Sequence, residues 1–234
     1  MTSAHQQAIE WDVLTWGRAL IFWEHLIETQ KIQMGTGLEI GSRNGGLSGY
    51  FARTFGSKMY CTDYDLPSDK ARLLHLKDGV ESLISYQSAD ATQLPFPAES
   101  FDFVVFKSVL GAVGRDEHPE KQQLAIAEMH RVLKPGGVLF FAENLSASLL
   151  HKYMRRVFRP WGKYWRYITM HELHTWLAIF AEKEVRSTGF LAAFVPTRTG
   201  LKLLAASIDL MLEPLPSNTK YVAYGFARKQ QKTT

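Results

Sequence analysis

The apolar positions of this chain change period as it runs. Leu38, Glu39 and Ile40 open an alternating run at 37–41, and short apolar runs return at 58–62, 83–87, 101–106 and 138–142. Their length and flanking turn residues predict strands. Between them the spacing predicts helices over 46–54, 69–77 and 117–133. In the last, Leu124, Ile126, Met129 and Leu133 supply apolar positions, Asp116 is placed to cap the start, Pro119 lies in the first turn, and KPGG at 134–137 ends it. Upstream, residues 4–30 read as one helix, with Trp16, Ala19, Leu20, Trp23 and Ile27 on one face. Beyond 145 the rhythm changes. Residues 145–168 are basic and aromatic, 170–180 read as helix, 184–194 as strand and 221–228 as a last strand. Residues 200–213 predict an amphipathic helix with Leu201, Leu204, Ala205, Ile208 and Met211 on the face expected to pack on the core.

Strands alternating with helices point to an α/β fold: a doubly wound, mostly parallel seven-stranded sheet with helices on both faces. At 234 residues the chain suits a single domain spanning 1–234. Residues 1–35 would form a helical cap, 36–144 the ligand-binding core, and 145–234 a lid and the closing strands.

Composition narrows the class without naming a function. Residues are 46% hydrophobic and 21% charged, as in ordinary globular proteins, and the net charge of +4 gives little reason to invoke nucleic acid. The single cysteine, Cys61, excludes an internal disulfide and a cysteine-based zinc cluster, and its apolar flanks suit a buried thiol. The N-terminus carries no secretory pattern and no apolar run spans a bilayer, so the expected location is cytoplasmic, with peripheral membrane contact as an addition.

The chemistry concentrates in LEIGSRNGGLS, residues 38–48. Glycines between a strand and a helix let a ligand approach bare backbone at a helix start, although a tight turn needs no ligand. A dinucleotide site usually shows G-x-G-x-x-G facing a pyrophosphate. Here the pattern is G-x-x-x-G-G with Glu39 just ahead, and a carboxylate suits an amino-bearing ligand better than a pyrophosphate.

Several segments in register resemble the class I S-adenosylmethionine (SAM) dependent methyltransferases. These are LEIGSRNGG, TDYD, SADATQLPFPAESFDFVVFKSVL and RVLKPGGVLFFAE, together covering roughly residues 36–144. The resemblance implies a Rossmann-like fold and SAM as cofactor. It implies that Glu39, Gly41, Ser42, Arg43 and Gly45 line the methionine side. Asp63 would hold the ribose hydroxyls beside Tyr64, and Asp90 the adenine amino group beside Ala91, with Lys107 at the end of the fourth strand. Arg43 is a departure, since the family most often has glycine there. A carboxylate binding two ribose hydroxyls makes charge-assisted hydrogen bonds, which suits Asp63 at a strand end. A helix cap is the plainer role for Asp63, and a capped turn for Asp90.

A hydroxyl acceptor needs a base, sought on loops beyond the fourth and fifth strands. Glu143 is the first candidate and His151 the next; His118 is also within that region, whereas His171 and His174 read as packing or surface groups. Lys107, where an acid would be needed, argues against a catalytic metal. The expected activity is O-methyl transfer to a small-molecule or glycan acceptor. The segment 151–168, rich in Lys, Arg, Trp and Tyr and free of acids, suits a lid over an anionic or lipid-linked acceptor. The N-terminal WDVLTWGRALIFWE is similar to methyltransferases of bacterial polysaccharide assembly. A catalytically inactive SAM-binding protein and a methyltransferase acting on nucleic acid are the alternatives, and the sequence leaves the oligomeric state open.

Overall fold

A computed structural model describes residues 1–149, 151, 153, 164–195 and 200–232. Seven strands form one sheet: β1 Thr36–Ile40, β2 Lys58–Asp63, β3 Ile84–Ser88, β4 Phe101–Lys107, β5 Leu133–Asn144, β6 Glu182–Thr188 and β7 Val222–Arg228. Their order is β3-β2-β1-β4-β5-β7-β6. The first five run parallel, and β7 enters antiparallel between β5 and β6. The chain winds outward from β1 through β2 to β3, then returns to β4 on the other side of β1. Strand order therefore reverses between β1 and β4, where such sheets open a crevice beyond their carboxyl ends.

Period-two alternation explains the two-sided core. Phe103 and Val105 of β4, with Val138, Phe140 and Ala142 of β5, face helices α1 (Ser3–Ile9), α2 (Val13–Gln30) and α3 (Gly46–Phe55). Val104, Phe106, Leu139 and Phe141 face the other way, toward α5 (Leu110–Val113), α6 (Pro119–Val132) and α7 (Met170–Trp176). Every second side chain of a strand points to the same face, so strands buried on both faces are apolar throughout. Helix α4 (Asp69–Lys77) follows β2, and α8 (Gly200–Met211) lies between β6 and β7 in sequence.

The structure corrects several boundaries. The single helix expected over 4–30 is two, broken where Glu10 and Asp12 take positive φ of 66° and 45°. The apolar stripe of α2 is buried as read, Trp16 to Ile27. Asp116 does not cap α6: it too has a positive φ, its N–H donates to Tyr164 O at 3.1 Å, and His118 precedes the helix without a side-chain cap. The strand read at 184–194 ends at Thr188, and Leu191–Phe194 is a 3-10 turn. Most of the basic lid segment, residues 152 and 154–163, lies outside the described residues. Helix α8 meets expectation only in part: Ala205 is buried and Ile208 half-buried, but Leu201, Leu204 and Met211 are exposed, while Lys202 and Asp209 are buried.

The sheet and α2 meet over Gly225. The Trp23 indole N–H donates to Gly225 O at 2.9 Å, and a Cβ on Gly225 would lie 2.0 Å from Glu184 O and 2.9 Å from the Phe141 ring. Gly225→Ala must push β6 and β7 apart, and overpacking of this kind costs about 1–3 kcal/mol. Thermal denaturation should show Tm lowered by about 2–12 °C; an unchanged Tm would mean the strands accommodate the methyl group.

Candidate functional site

The crevice between β1 and β4 is built from the loop that follows Ile40. Gly41 and Gly45 adopt φ of 66° and 72°, and between them Arg43 takes φ 52°. The left-handed region favours glycine, which accounts physically for the glycine usual at position 43. Not all of the loop's glycines serve a ligand. A Cβ on Gly46 would sit 2.7 Å from Gln7 O and 2.8 Å from Ala8 O, so this glycine admits α1. Gly45 instead packs on His75, whose Nε2 pairs with Gly45 O at 2.7 Å.

Glu39 is buried. One oxygen, Oε2, accepts the Ser48 N–H at 2.8 Å and the Ser48 hydroxyl at 2.5 Å, fixing the start of α3 on β1. Burial pushes its carboxyl up to about 7, against the Ser48 bonds and the nearby Lys107, which favour the charge. Asp63 ends β2 with Oδ2 accepting the Arg43 N–H at 2.7 Å and Oδ1 the Tyr64 N–H at 2.8 Å. Each carboxylate oxygen keeps a second acceptor position. The Tyr64 ring is exposed beside it. Ala89 N–H donates to Asp63 O at 2.7 Å, bringing the end of β3 alongside. There Asp90 is exposed, its Oδ1 accepting the Thr92 N–H at 2.8 Å and hydroxyl at 2.7 Å, and Ala91 is buried. The capped-turn role weighed for Asp90 is therefore present.

Lys107 is in the crevice but faces the N-terminal segment. Its Nζ donates to Ile9 O at 2.8 Å and lies 3.0 Å from the Trp11 ring centroid. Burial lowers its pKa to about 7, and Glu10 and Glu39 oppose that shift. Arg43 is largely exposed, 5.0 Å from Trp11 and 4.0 Å from Glu10. Asn44 Nδ2 donates to Glu10 at 2.9 Å. Ile9, Glu10 and Trp11 are site residues that the sequence reading missed, because a continuous helix over 4–30 leaves no loop there.

The two expected bases have other partners. Glu143 is fully buried: Oε2 accepts the N–H groups of Val109 and Leu110 at 2.8 and 2.7 Å, and Oε1 that of Asn144 at 2.7 Å. Burial pushes it up to about 7 while those three donors favour the carboxylate. It anchors the turn into α5, with its carboxylate engaged by three backbone N–H groups. His151 is buried too, Nδ1 pairing with Ser148 Oγ at 2.7 Å and Nε2 with Phe190 O at 2.9 Å, its ring packed on Phe194 and Tyr221. It is a packing histidine in this structure. His118 pairs with Glu120 at the surface. Cys61 is buried, its thiol pushed up to about 12, as an inert small side chain would be.

A methyltransferase-domain family profile matches residues 38–141, the segment that carries this crevice. Over residues 38–141 the chain is similar to the class I SAM-dependent methyltransferases. The chain is 30% identical over 151 residues to a ubiquinone/menaquinone biosynthesis C-methyltransferase of Shewanella sp. (strain W3-18-1), covering 63% of this chain and 57% of that protein. It is 33% identical over 106 residues to a fatty-acid O-methyltransferase of Mycolicibacterium smegmatis, covering 45% and 36%. The chain thus spans only part of the length of these curated relatives. In fold it matches a Haemonchus contortus phosphoethanolamine N-methyltransferase in complex with SAM, at TM-score 0.60 and 16% identity, over 92% of this chain and 53% of that one.

The crevice fits SAM in its donor set. Asp63 and Asp90 flank one end of the crevice. Among the described residues Ser42 Oγ is buried without a hydrogen-bond partner, close enough to the Cys61 thiol to influence it. The methionine side is tighter: the space between Trp11, Glu39, Ser42, Arg43 and Lys107 is about 10 Å³, room for one water. A ligand larger than a water reaches that space only when the side chains that line it move apart.

Asp63→Ala removes charge-assisted bonds worth about 1.5–3 kcal/mol, so calorimetry should show SAM binding weakened about 10- to 100-fold. Unchanged affinity would remove Asp63 from the site. Glu143→Ala leaves three backbone N–H groups without acceptors, and stability should fall by about 3 kcal/mol or more. Lys107 contributes stability that is fully present above pH 10.5 and is lost as pH falls through about 7. Urea denaturation should therefore show wild type losing stability relative to Lys107→Met between those limits; a constant difference would mean the ammonium is not desolvated.

Proposed function

We propose that this chain transfers a methyl group from SAM to an oxygen of an apolar small molecule that ionises without help from the enzyme. The observation that carries this reading is the engagement of Glu143 and His151, which leaves the expected bases bound to backbone and hydroxyl groups. An acceptor already anionic at neutral pH, such as a carboxylate or an acidic phenol, needs no such base.

Bound SAM supplies an electrophilic methyl whose C–S bond breaks as an acceptor lone pair attacks. The chain's part is to bind and align, and orientation alone can supply about 7–11 kcal/mol of the barrier. Asp63 would hold the ribose, Asp90 and Ala91 would border the adenine, and the loop 41–46 with Glu39 the methionine end. Arg43 and Lys107 would offer the methionine carboxylate its cations once Trp11 withdraws.

For the acceptor, the favoured place is a cavity of about 380 Å³ beyond the end of β5, lined by Leu145, Ala147, Leu149 and Met170 with serine, threonine and asparagine residues between them. Its walls are mainly apolar, which suits small-molecule recognition. The relatives named for a fatty acid and for ubiquinone or menaquinone are consistent with such an acceptor. A lipid-linked glycan is the other acceptor class.

Methyl-labelled SAM should be offered with long-chain fatty acids, acidic phenols, a lipid-linked glycan and amines. Label is expected in an apolar acid or phenol; transfer to amines alone would overturn the reading. Met170→Arg puts a charge into the cavity, at a cost of a few kcal/mol. It should raise acceptor KM about tenfold or more while SAM affinity stays unchanged.

A further inference from the structure

His75 is a buried histidine on α4, four residues after Ala71, and these two are the buried positions of that helix. Burial lowers its pKa, so the ring is neutral and carries one proton. Its partners decide which nitrogen holds it. Gly45 O can only accept, so the 2.7 Å contact places the proton on Nε2. Nδ1 is then the acceptor, and the Tyr86 hydroxyl donates to it at 2.8 Å. Tyr86 belongs to β3 and stacks on the imidazole at a ring distance of 5.7 Å, with the Arg72 guanidinium 4.5 Å from the Tyr86 ring centroid.

The Gly45 carbonyl that His75 engages is the junction of the loop after β1 with α3. It also accepts the Gly49 N–H at 3.0 Å, while Gly45 N–H donates back to Ser42 O at 2.8 Å. Between them, Arg43 gives its N–H to Asp63 at 2.7 Å. A bond to Gly45 O therefore acts on the same few residues that orient the Asp63 carboxylate. The imidazole also fills the space beside the loop: a Cβ on Gly45 would lie 2.5 Å from His75 Cε1, and one on Gly49 3.0 Å from Cδ2. Helix α4 is itself braced. Its C-cap, Asp78, accepts from Gln7 of α1 at 2.7 Å and from Arg53 of α3 at 3.2 Å.

We propose that His75 is a positioning residue for SAM. It fixes the Gly45 carbonyl, and with it the loop 42–46, in the conformation that receives the cofactor, and the Tyr86 hydroxyl holds the imidazole in the tautomer that does so. A preformed loop saves the ordering that a flexible one undergoes on binding, so affinity follows this bond although His75 is buried behind the loop. The effect on affinity rests on the SAM reading of the crevice; the ordering of the loop is a property of the ligand-free chain.

The test compares His75→Phe, His75→Gln and Tyr86→Phe with wild type. Phenylalanine keeps a flat ring against Gly45 and Gly49 and removes both hydrogen bonds at position 75, whereas the glutamine amide restores an N–H for the Gly45 carbonyl. Hydrogen exchange on the ligand-free chain should show the Gly45 and Gly49 amides opening about tenfold more readily in His75→Phe, relative to amides of β4 and β5. Calorimetry should show SAM binding weakened about 3- to 10-fold in that variant and about twofold in Tyr86→Phe, with His75→Gln close to wild type. Wild-type exchange in the loop of both phenylalanine variants overturns the proposal, whatever their Tm. So does equal weakening by phenylalanine and glutamine at position 75, because packing of the ring and not its N–H would then hold the loop. Faster exchange with unchanged SAM affinity overturns the positioning role. If His75→Phe does not fold, Tyr86→Phe, which loses one hydroxyl at a half-buried edge position, decides by the same two measurements. A wild type that binds no SAM fails the cofactor reading, and loop exchange reports separately on whether His75 orders the loop.

Discussion

Two buried glutamates at strand ends hold the working face of this sheet. A helix begins with N–H groups that have no partner within the helix, and an acceptor at that point satisfies both the hydrogen bonds and the helix dipole. Glu39 on β1 gives its carboxylate to Ser48 at the start of α3, and Glu143 on β5 gives its own to Val109 and Leu110 at the start of α5. Each ties a strand to a helix across the crevice it borders. The cost is visible in both side chains, since burial pushes the two carboxyls up to about 7. The loops of the crevice take their positions from these two anchors.

The centre of the sheet was legible because β4 and β5 are buried on both faces. Runs such as FVVF and VLFFA have no polar side to confuse the reading, and the order of strands and helices leaves few topologies. The glycine loop and the position of Asp63 were legible for the same local reason: a strand end, a turn and a helix start are all short-range features. Roles that depend on distant partners were not. Glu143 looks like a free acid in VLFFAEN, and only its long-range contact with Val109 and Leu110 shows otherwise. His151 looks like a loop base, yet the ring it packs on, Tyr221, lies seventy residues away.

Helix α8 shows the same limit from the other side. Its apolar spacing gives a stripe and a period, but not which way the stripe faces. Ordinarily burial of leucines decides, because apolar surface favours leaving water. Here two charges decide instead, since an unpaired ion inside a protein costs more than several exposed leucines. Lys202 and Asp209 read as the solvated side of an amphipathic helix until Asp12 and the backbone of residues 190–192 are placed beside them.

Asp12 connects these features. The break in the helix expected over 4–30 turns Trp11 onto Lys107 in the crevice and, one residue later, turns Asp12 toward Lys202 and Tyr221. Both turns use left-handed backbone at non-glycine residues, Glu10 and Asp12, which is tolerated only where side-chain bonds on either side hold it. Asn44 holds Glu10, and Lys202, Tyr221 and Thr15 hold Asp12. A strained stretch of three residues thus borders the SAM crevice through its first half and secures the outward helix through its second. Trp11, over Lys107 in the crevice, is thus joined directly to a residue fixed by a buried ion pair, so the packing of α8 and the wall of the crevice share one short stretch of backbone.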